Sequence, residues 1–87
     1  METTIKATIV DVRTQEEFLE GHFPNAINIP LDHVDQKINE FKKMPTPIIV
    51  YCRSGNRSGI AVSILNEHGI ADAFNGGSLD DLKQNRK

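Results

Sequence analysis

The stretch Ile48-Ile49-Val50-Tyr51, followed directly by Cys52-Arg53-Ser54-Gly55-Asn56-Arg57-Ser58, decides the reading of this chain. A continuous β-rich run without polar alternation is the pattern of a strand buried on both faces in the middle of a parallel sheet. After the loop, Ile60, Ala61, Ile64 and Leu65 predict one apolar face of a helix running from about Ser58 to His68, with Gly69 as its stop. In an open parallel sheet, ligands bind where strands end and the following helices begin. The single cysteine of the chain falls at that point. Gly55 and Asn56 tolerate positive φ, so the loop can curl until its backbone N–H groups converge as an anion-binding nest at a helix N-terminus. A nest stabilises a thiolate, and Arg53 and Arg57 add positive charge, so Cys52 is expected to be acidic and reactive. The plainer alternative is an inert small hydrophobe followed by ordinary turn residues. Two arginines, a glycine and an asparagine within five residues of the cysteine exceed what a turn needs.

Working outward, short β-rich runs alternate with helical stretches, which predicts an α/β domain with a mostly parallel central sheet flanked by helices. A first strand is expected over Thr8 to Val12. Thr14 and Glu17 then have capping-box spacing, and Gly21 fits the helix stop. Ala26 to Ile29 reads as a second strand closed by Pro30. Val34, Ile38 and Phe41 predict a helix ending before the turn at Met44-Pro45-Thr46-Pro47. Ile70 to Phe74 is expected to be the last strand, Asn75-Gly76-Gly77 a turn, and Leu79 to Lys83 a short terminal helix.

Composition narrows the function classes. The 87 residues suit one small domain, and 38% hydrophobic content is enough for one compact core. Ten Lys plus Arg against twelve Asp plus Glu leave a net charge of −2, which offers no footprint for nucleic acid. No apolar run approaches the roughly twenty residues of a membrane span. One cysteine excludes an internal disulfide and a cysteine-rich zinc site. Without a basic region followed by an apolar one at its start, the chain is expected to be cytoplasmic, or periplasmic if a signal segment has been removed. His22 fits a structural corner, and His33 and His68 sit near helix ends, so no metal site is expected. Glu16, Glu17 and Glu20 read as a solvated helix face, and Lys83, Arg86 and Lys87 as a polar tail. Asp11 and Arg13 follow a strand at the same sheet end as Cys52; an internal ion pair is the favoured reading there over catalysis.

The loop Cys52-Arg53-Ser54-Gly55-Asn56-Arg57-Ser58 closely resembles the active-site loop of single-domain rhodaneses, the thiosulfate sulfurtransferases. Asp11-Val12-Arg13 is similar to the family's Asp-Val-Arg after the first core strand, the segment from Glu17 to Pro30, with Gly21-His22-Phe23-Pro24-Asn25-Ala26 inside it, to its Gly-His-Ile-Pro-Gly-Ala stretch, and Gly76-Gly77 to the pair before its last helix. The likeness runs from Ile9 to about Leu82, and its compactness is most similar to the phage shock protein E type. Longer family members carry an extra strand and helix before Asp-Val-Arg, and a Trp customarily follows the double glycine; both are absent here. Asn25 stands in place of the usual glycine, which a left-handed turn accepts.

The resemblance implies a single rhodanese-like domain over residues 1–87. It also implies a two-step transfer in which Cys52 takes sulfur from thiosulfate as a persulfide and passes it to a thiol, cyanide or another acceptor. Cys52 would be catalytic, Arg53, Ser54, Gly55, Asn56 and Arg57 substrate-binding, and Ser58, Asp11 and Arg13 supporting. Neither cofactor nor metal is implied. The partners would be a small-molecule sulfur donor and a thiol or cyanide acceptor, with a protein sulfur acceptor compatible with the same chemistry, and neither nucleic acid nor membrane. Phosphatases and arsenate reductases of the same fold resemble this loop but carry five residues between Cys and Arg, against four here. A non-catalytic interaction module is the other alternative; such relatives have lost the nucleophile that this chain keeps.

Overall fold

The computed structural model describes residues 7–85. Their order is β1 (Thr8–Asp11), α1 (Gln15–Glu20), β2 (Ile27–Asn28), a 3-10 helix (Leu31–Gln36), α2 (Ile38–Lys42), β3 (Ile48–Cys52), α3 (Asn56–Glu67), β4 (Ala73–Ser78) and α4 (Leu79–Asn85). All strand pairs are parallel, in the order β2-β1-β3-β4, so the Ile48 run is an interior strand as expected. The α/β class follows from this layering. Arg86 and Lys87, read as part of a tail, lie outside the described residues.

Side chains alternate across the sheet. Val10, Ile48, Val50, Cys52 and Ala73 belong to the buried core together with Ala61 and Leu65 of α3. Asp11 and Tyr51 are partners in register and point the other way. That alternation separates two groups at one sheet end, with Cys52 on the α3 side and an Asp11–Tyr51–Arg13 cluster on the other.

Several elements differ from their sequence expectation, each for a local reason. The Val34–Ile38–Phe41 segment is two pieces broken at Lys37 (φ −113°, ψ 19°), although all three apolar residues are buried. Three residues per turn in the first piece let Leu31 and Val34 share the core side. α3 starts two residues early, at Asn56, with Gly55 as its N-cap at φ 95°. Of the two loop residues expected to tolerate positive φ, only Gly55 uses it. The buried face of α3 is Ser58, Ala61 and Leu65, whereas Ile60 is 53% exposed. At about 100° per residue, Ile60 lies on the opposite side of the helix from Ser58. The core face is therefore rotated toward the residue that meets Cys52.

Ile70 is not the start of a strand. Its N–H bonds to the Leu65 carbonyl, and that of Gly69 (φ 89°) to the Asn66 carbonyl, which is the Schellman ending of α3 with Ile70 as its buried apolar contact. β4 begins at Ala73 and runs straight through Asn75-Gly76-Gly77, which is no turn. Val50 pairs with Asn75 and Tyr51 with Gly77, so Gly76 is the extra residue of a bulge. Glycine is required at both positions. A Cβ on Gly76 would sit 2.9 Å from Ile49 Cγ2, and Gly77 holds φ 85°. The bulge returns Ser78 to register beside Cys52, where Ser78 and Asp81 exchange backbone-to-side-chain bonds and start α4. Asn25 adopts the left-handed conformation expected of it (φ 68°).

Candidate active site

Cys52 ends β3 with no exposed surface. Its Sγ accepts the Gly55 N–H at 3.0 Å and the Ser58 N–H at 3.4 Å, and the Ser58 hydroxyl oxygen lies 3.5 Å away. The left-handed Gly55 turns its own N–H back over the sulfur, and the start of α3 supplies that of Ser58. Burial pushes the thiol up. A hydrogen bond that the Ser58 hydroxyl gives the anion when it turns to the sulfur, together with the N–H groups of Ser58, Ser54 and Gly55, outweighs it, so Cys52 rests below the ordinary thiol value.

The loop residues divide by orientation. Gly55 and Ser58 turn N–H groups to the sulfur, and the Ser54 N–H also favours its anion; Asn56 opens α3 and is exposed. The Arg53 side chain is 80% exposed, 3.8 Å from Glu17. Arg57 is half-buried and engages Glu17 with both nitrogens of its fork, at 2.9 and 3.1 Å. Glu17 is thus not part of a solvated face, unlike Glu16 and Glu20, which are exposed. Its carboxylate closes the capping box with Thr14 and at the same time ties α1 to the Cys52 loop. The capping-box spacing reveals the cap and not the second partner, because a residue 40 positions away leaves no local signal.

Hydrogen bonding to Arg57 and to the Thr14 backbone, against a smaller effect of burial, takes the Glu17 carboxyl from its ordinary 4.5 down to about 2. Because the folded protein keeps this group more acidic than the unfolded chain does, its contribution is complete above about pH 4.5 and disappears as pH falls towards 2. Partial solvent screening limits it to about 1 kcal/mol. Glu17→Gln should therefore melt lower than the parent near neutrality, with the gap closing between pH 4.5 and 2. A gap of constant size across that range would assign the loss to something other than the Glu17 charge.

On the opposite sheet face, Asp11 is fully buried and accepts the Arg13 N–H at 2.8 Å, two Arg13 guanidinium nitrogens and the Tyr51 hydroxyl at 2.8 Å. Arg13 reaches on to the Gly21 carbonyl at 2.7 Å, fixing the end of α1. The internal pairing expected of Asp11 and Arg13 is what the structure holds. Tyr51 completes it, buried, with its hydroxyl pushed up to about 12 mainly by that burial, so it remains a neutral donor. His22 stacks on Phe18 and places Nδ1 2.9 Å from the Phe18 carbonyl, a corner contact.

Behind the loop, Ser58 donates its hydroxyl to Asn75 Oδ1 at 2.6 Å, Gly77 N–H donates to the same oxygen at 2.9 Å, and Asn75 Nδ2 donates to the Gly55 carbonyl at 3.0 Å. Asn75, read from sequence as part of a turn, is a neighbour of the site. A groove of about 450 Å³ flanks the loop, lined by Arg13, Glu17, Arg53, Ser78, Asp80 and Lys83 among others. Lys83 is a residue of α4 on this groove and not part of a tail. Among the described residues no cluster of His, Cys, Asp and Glu could hold a metal ion, and no helix is long and apolar enough to cross a membrane.

The chain is 38% identical over 74 residues to the thiosulfate sulfurtransferase PspE of Escherichia coli, covering 84% of this chain and 71% of that protein. It is 39% identical over 70 residues to YqhL of Bacillus subtilis, where 80% of this chain spans 55% of the relative. Among solved structures, a rhodanese with anions from E. coli superposes with a TM-score of 0.77 at 37% identity, covering 86% of this chain and 89% of the other. The family model described as Rhodanese-like domain matches residues 1–81. A relative named as a thiosulfate sulfurtransferase, a shared fold and a match across nearly the whole sequence agree with the cysteine loop at the end of β3: the chain belongs to the rhodanese-like domain family.

Proposed function

We propose that this chain is a sulfurtransferase that moves sulfane sulfur from thiosulfate, or another persulfide-type donor, through a Cys52 persulfide to cyanide or a thiol acceptor. The observation that carries the reading is the sulfur of Cys52 held by the N–H groups of Gly55 and Ser58 at 3.0 and 3.4 Å. In the first step the Cys52 thiolate attacks the outer sulfur of thiosulfate. The S–S bond of the donor breaks, its electron pair leaves with sulfite, and the negative charge of the thiolate reappears on the outer sulfur of the new persulfide. In the second step the acceptor attacks that outer sulfur and the thiolate is regenerated.

Each loop group has a place in this scheme. The inward N–H groups stabilise the anionic sulfur before and after transfer, as an oxyanion hole does for oxygen. Arg53, exposed on the flanking groove, meets an anionic donor and the departing sulfite. Arg57, taken up by Glu17, braces the loop. Because the loop N–H groups hold Cys52 below the ordinary thiol value, the scheme invokes no general base.

Intact mass spectrometry of the protein mixed with thiosulfate tests the reading. Gain of one sulfur on Cys52, reversed by cyanide or a thiol, is the expected result. A chain that stays unmodified while Cys52 remains open to alkylation would be an interaction module instead.

A further inference from the structure

Asn75 lies on β4, opposite Val50 in register and on the α3 side of the sheet. Its amide can sit only one way round, because one end meets the Gly77 N–H and the other the Gly55 carbonyl. The atom 2.6 Å from the Ser58 oxygen is therefore an acceptor, and the Ser58 hydroxyl must be the donor. A hydroxyl has one hydrogen. With that hydrogen on Asn75, the Ser58 oxygen turns only lone pairs toward Cys52 Sγ, 3.5 Å away. This arrangement suits an S–H group, which can donate, and opposes a bare S⁻. For a thiolate to receive the hydroxyl hydrogen, Ser58 must rotate and give up its bond to Asn75.

We propose that Asn75 is a positioning residue that competes with Cys52 for the single hydroxyl hydrogen of Ser58, and so offsets part of the stabilisation that the loop N–H groups give the thiolate while leaving the persulfide undisturbed. The inference rests on the sulfurtransferase reading for its use. In the persulfide the charge sits on the outer sulfur, and Sγ is a neutral divalent atom with no call on an O–H donor. Ser58 then keeps its bond to Asn75. The thiolate is the one state of the cycle that pulls the hydroxyl away, which tilts the resting enzyme toward holding sulfur.

The charged groups around this corner are Arg53 of the loop, Arg57 of α3, Glu17 of α1 through Arg57, the Asp11–Arg13 pair at the end of β1, and Asp81 of α4 on the Ser78 N–H. They stay constant in a comparison of the parent with Asn75→Ala, Ser58→Ala and the double variant. Ultraviolet absorbance of the thiolate, followed against pH without any sulfur donor, reads the Cys52 titration directly. Asn75→Ala should move the midpoint down by about one pH unit, a tenfold gain in thiolate below it, because the freed hydroxyl then bonds the anion. In the Ser58→Ala background the same substitution should move it little. A brace acting only through the Gly55 carbonyl would loosen the Gly55 N–H and raise the midpoint, so the sign separates the two roles. Asn75 is exposed on an edge strand, which favours retention of the fold, and Asn75→Leu gives the same comparison should the alanine variant melt early. An unchanged or raised midpoint, or an equal shift with and without the Ser58 hydroxyl, overturns the proposal. Failure of the parent to take up sulfur would overturn the sulfurtransferase reading and leave this titration standing.

Discussion

Cys52→Ser should lower sulfur transfer by ~10⁴-fold or more while leaving the melting midpoint close to that of the parent. The loss is large because the whole scheme passes through one atom. A serine hydroxyl in the same nest is un-ionised at neutral pH, and its oxygen cannot carry a sulfane sulfur as a persulfide. The fold is spared because serine is nearly the same shape, and the Gly55 and Ser58 N–H groups that now meet sulfur keep an acceptor. Thiocyanate formation from thiosulfate and cyanide, followed alongside a thermal melt, checks both halves. Turnover near the parental rate would mean that the cysteine is not the carrier, and a collapsed melt would mean that the thiol is needed for the core.

How far the sequence revealed the site depends on whether a signal was local. Cys52 and its loop could be read because strand, loop and helix are consecutive, and because an uninterrupted apolar run fixes where the strand ends. The capping box at Thr14 and Glu17 was legible for the same reason. What escaped lies in contacts between distant segments. Glu17 meets Arg57 40 positions along the chain, and Asn75 meets Ser58 17 positions away, across a bulge that spacing alone reads as a turn. The apolar pattern misplaces Ile60 on the inner face of α3 for a related reason. Its inner side is chosen by Ser58 under the cysteine, a polar residue that an apolar pattern passes over. Ile70 looked like strand and is the apolar plug of a helix end, because both roles ask for the same residue after a glycine.

Loop length should govern the chemistry at Cys52. Four residues separate Cys52 from Arg57, and both ends are anchored, at the cysteine by β3 and at the arginine by its fork on Glu17. One added glycine between Ser54 and Gly55 lengthens the path by up to ~3.5 Å, and fixed ends force the extra length outward as a wider ring. The Gly55 N–H, now 3.0 Å from sulfur, would then retreat beyond hydrogen-bond range. Loss of one such donor from an anion-stabilising site costs about 10²–10³-fold in rate. The thiol would also lose a group that keeps it acidic, so its alkylation by iodoacetamide should need a higher pH than in the parent. A ring of that size has the spacing by which related phosphatase loops enclose a tetrahedral oxyanion, so the variant should exchange sulfur transfer for affinity toward phosphate-sized ions. Steady-state thiocyanate formation together with phosphate binding by calorimetry measures the exchange. If the insertion variant transferred sulfur as fast as the parent, the close approach of the Gly55 N–H could not be what equips this loop for a single sulfur atom.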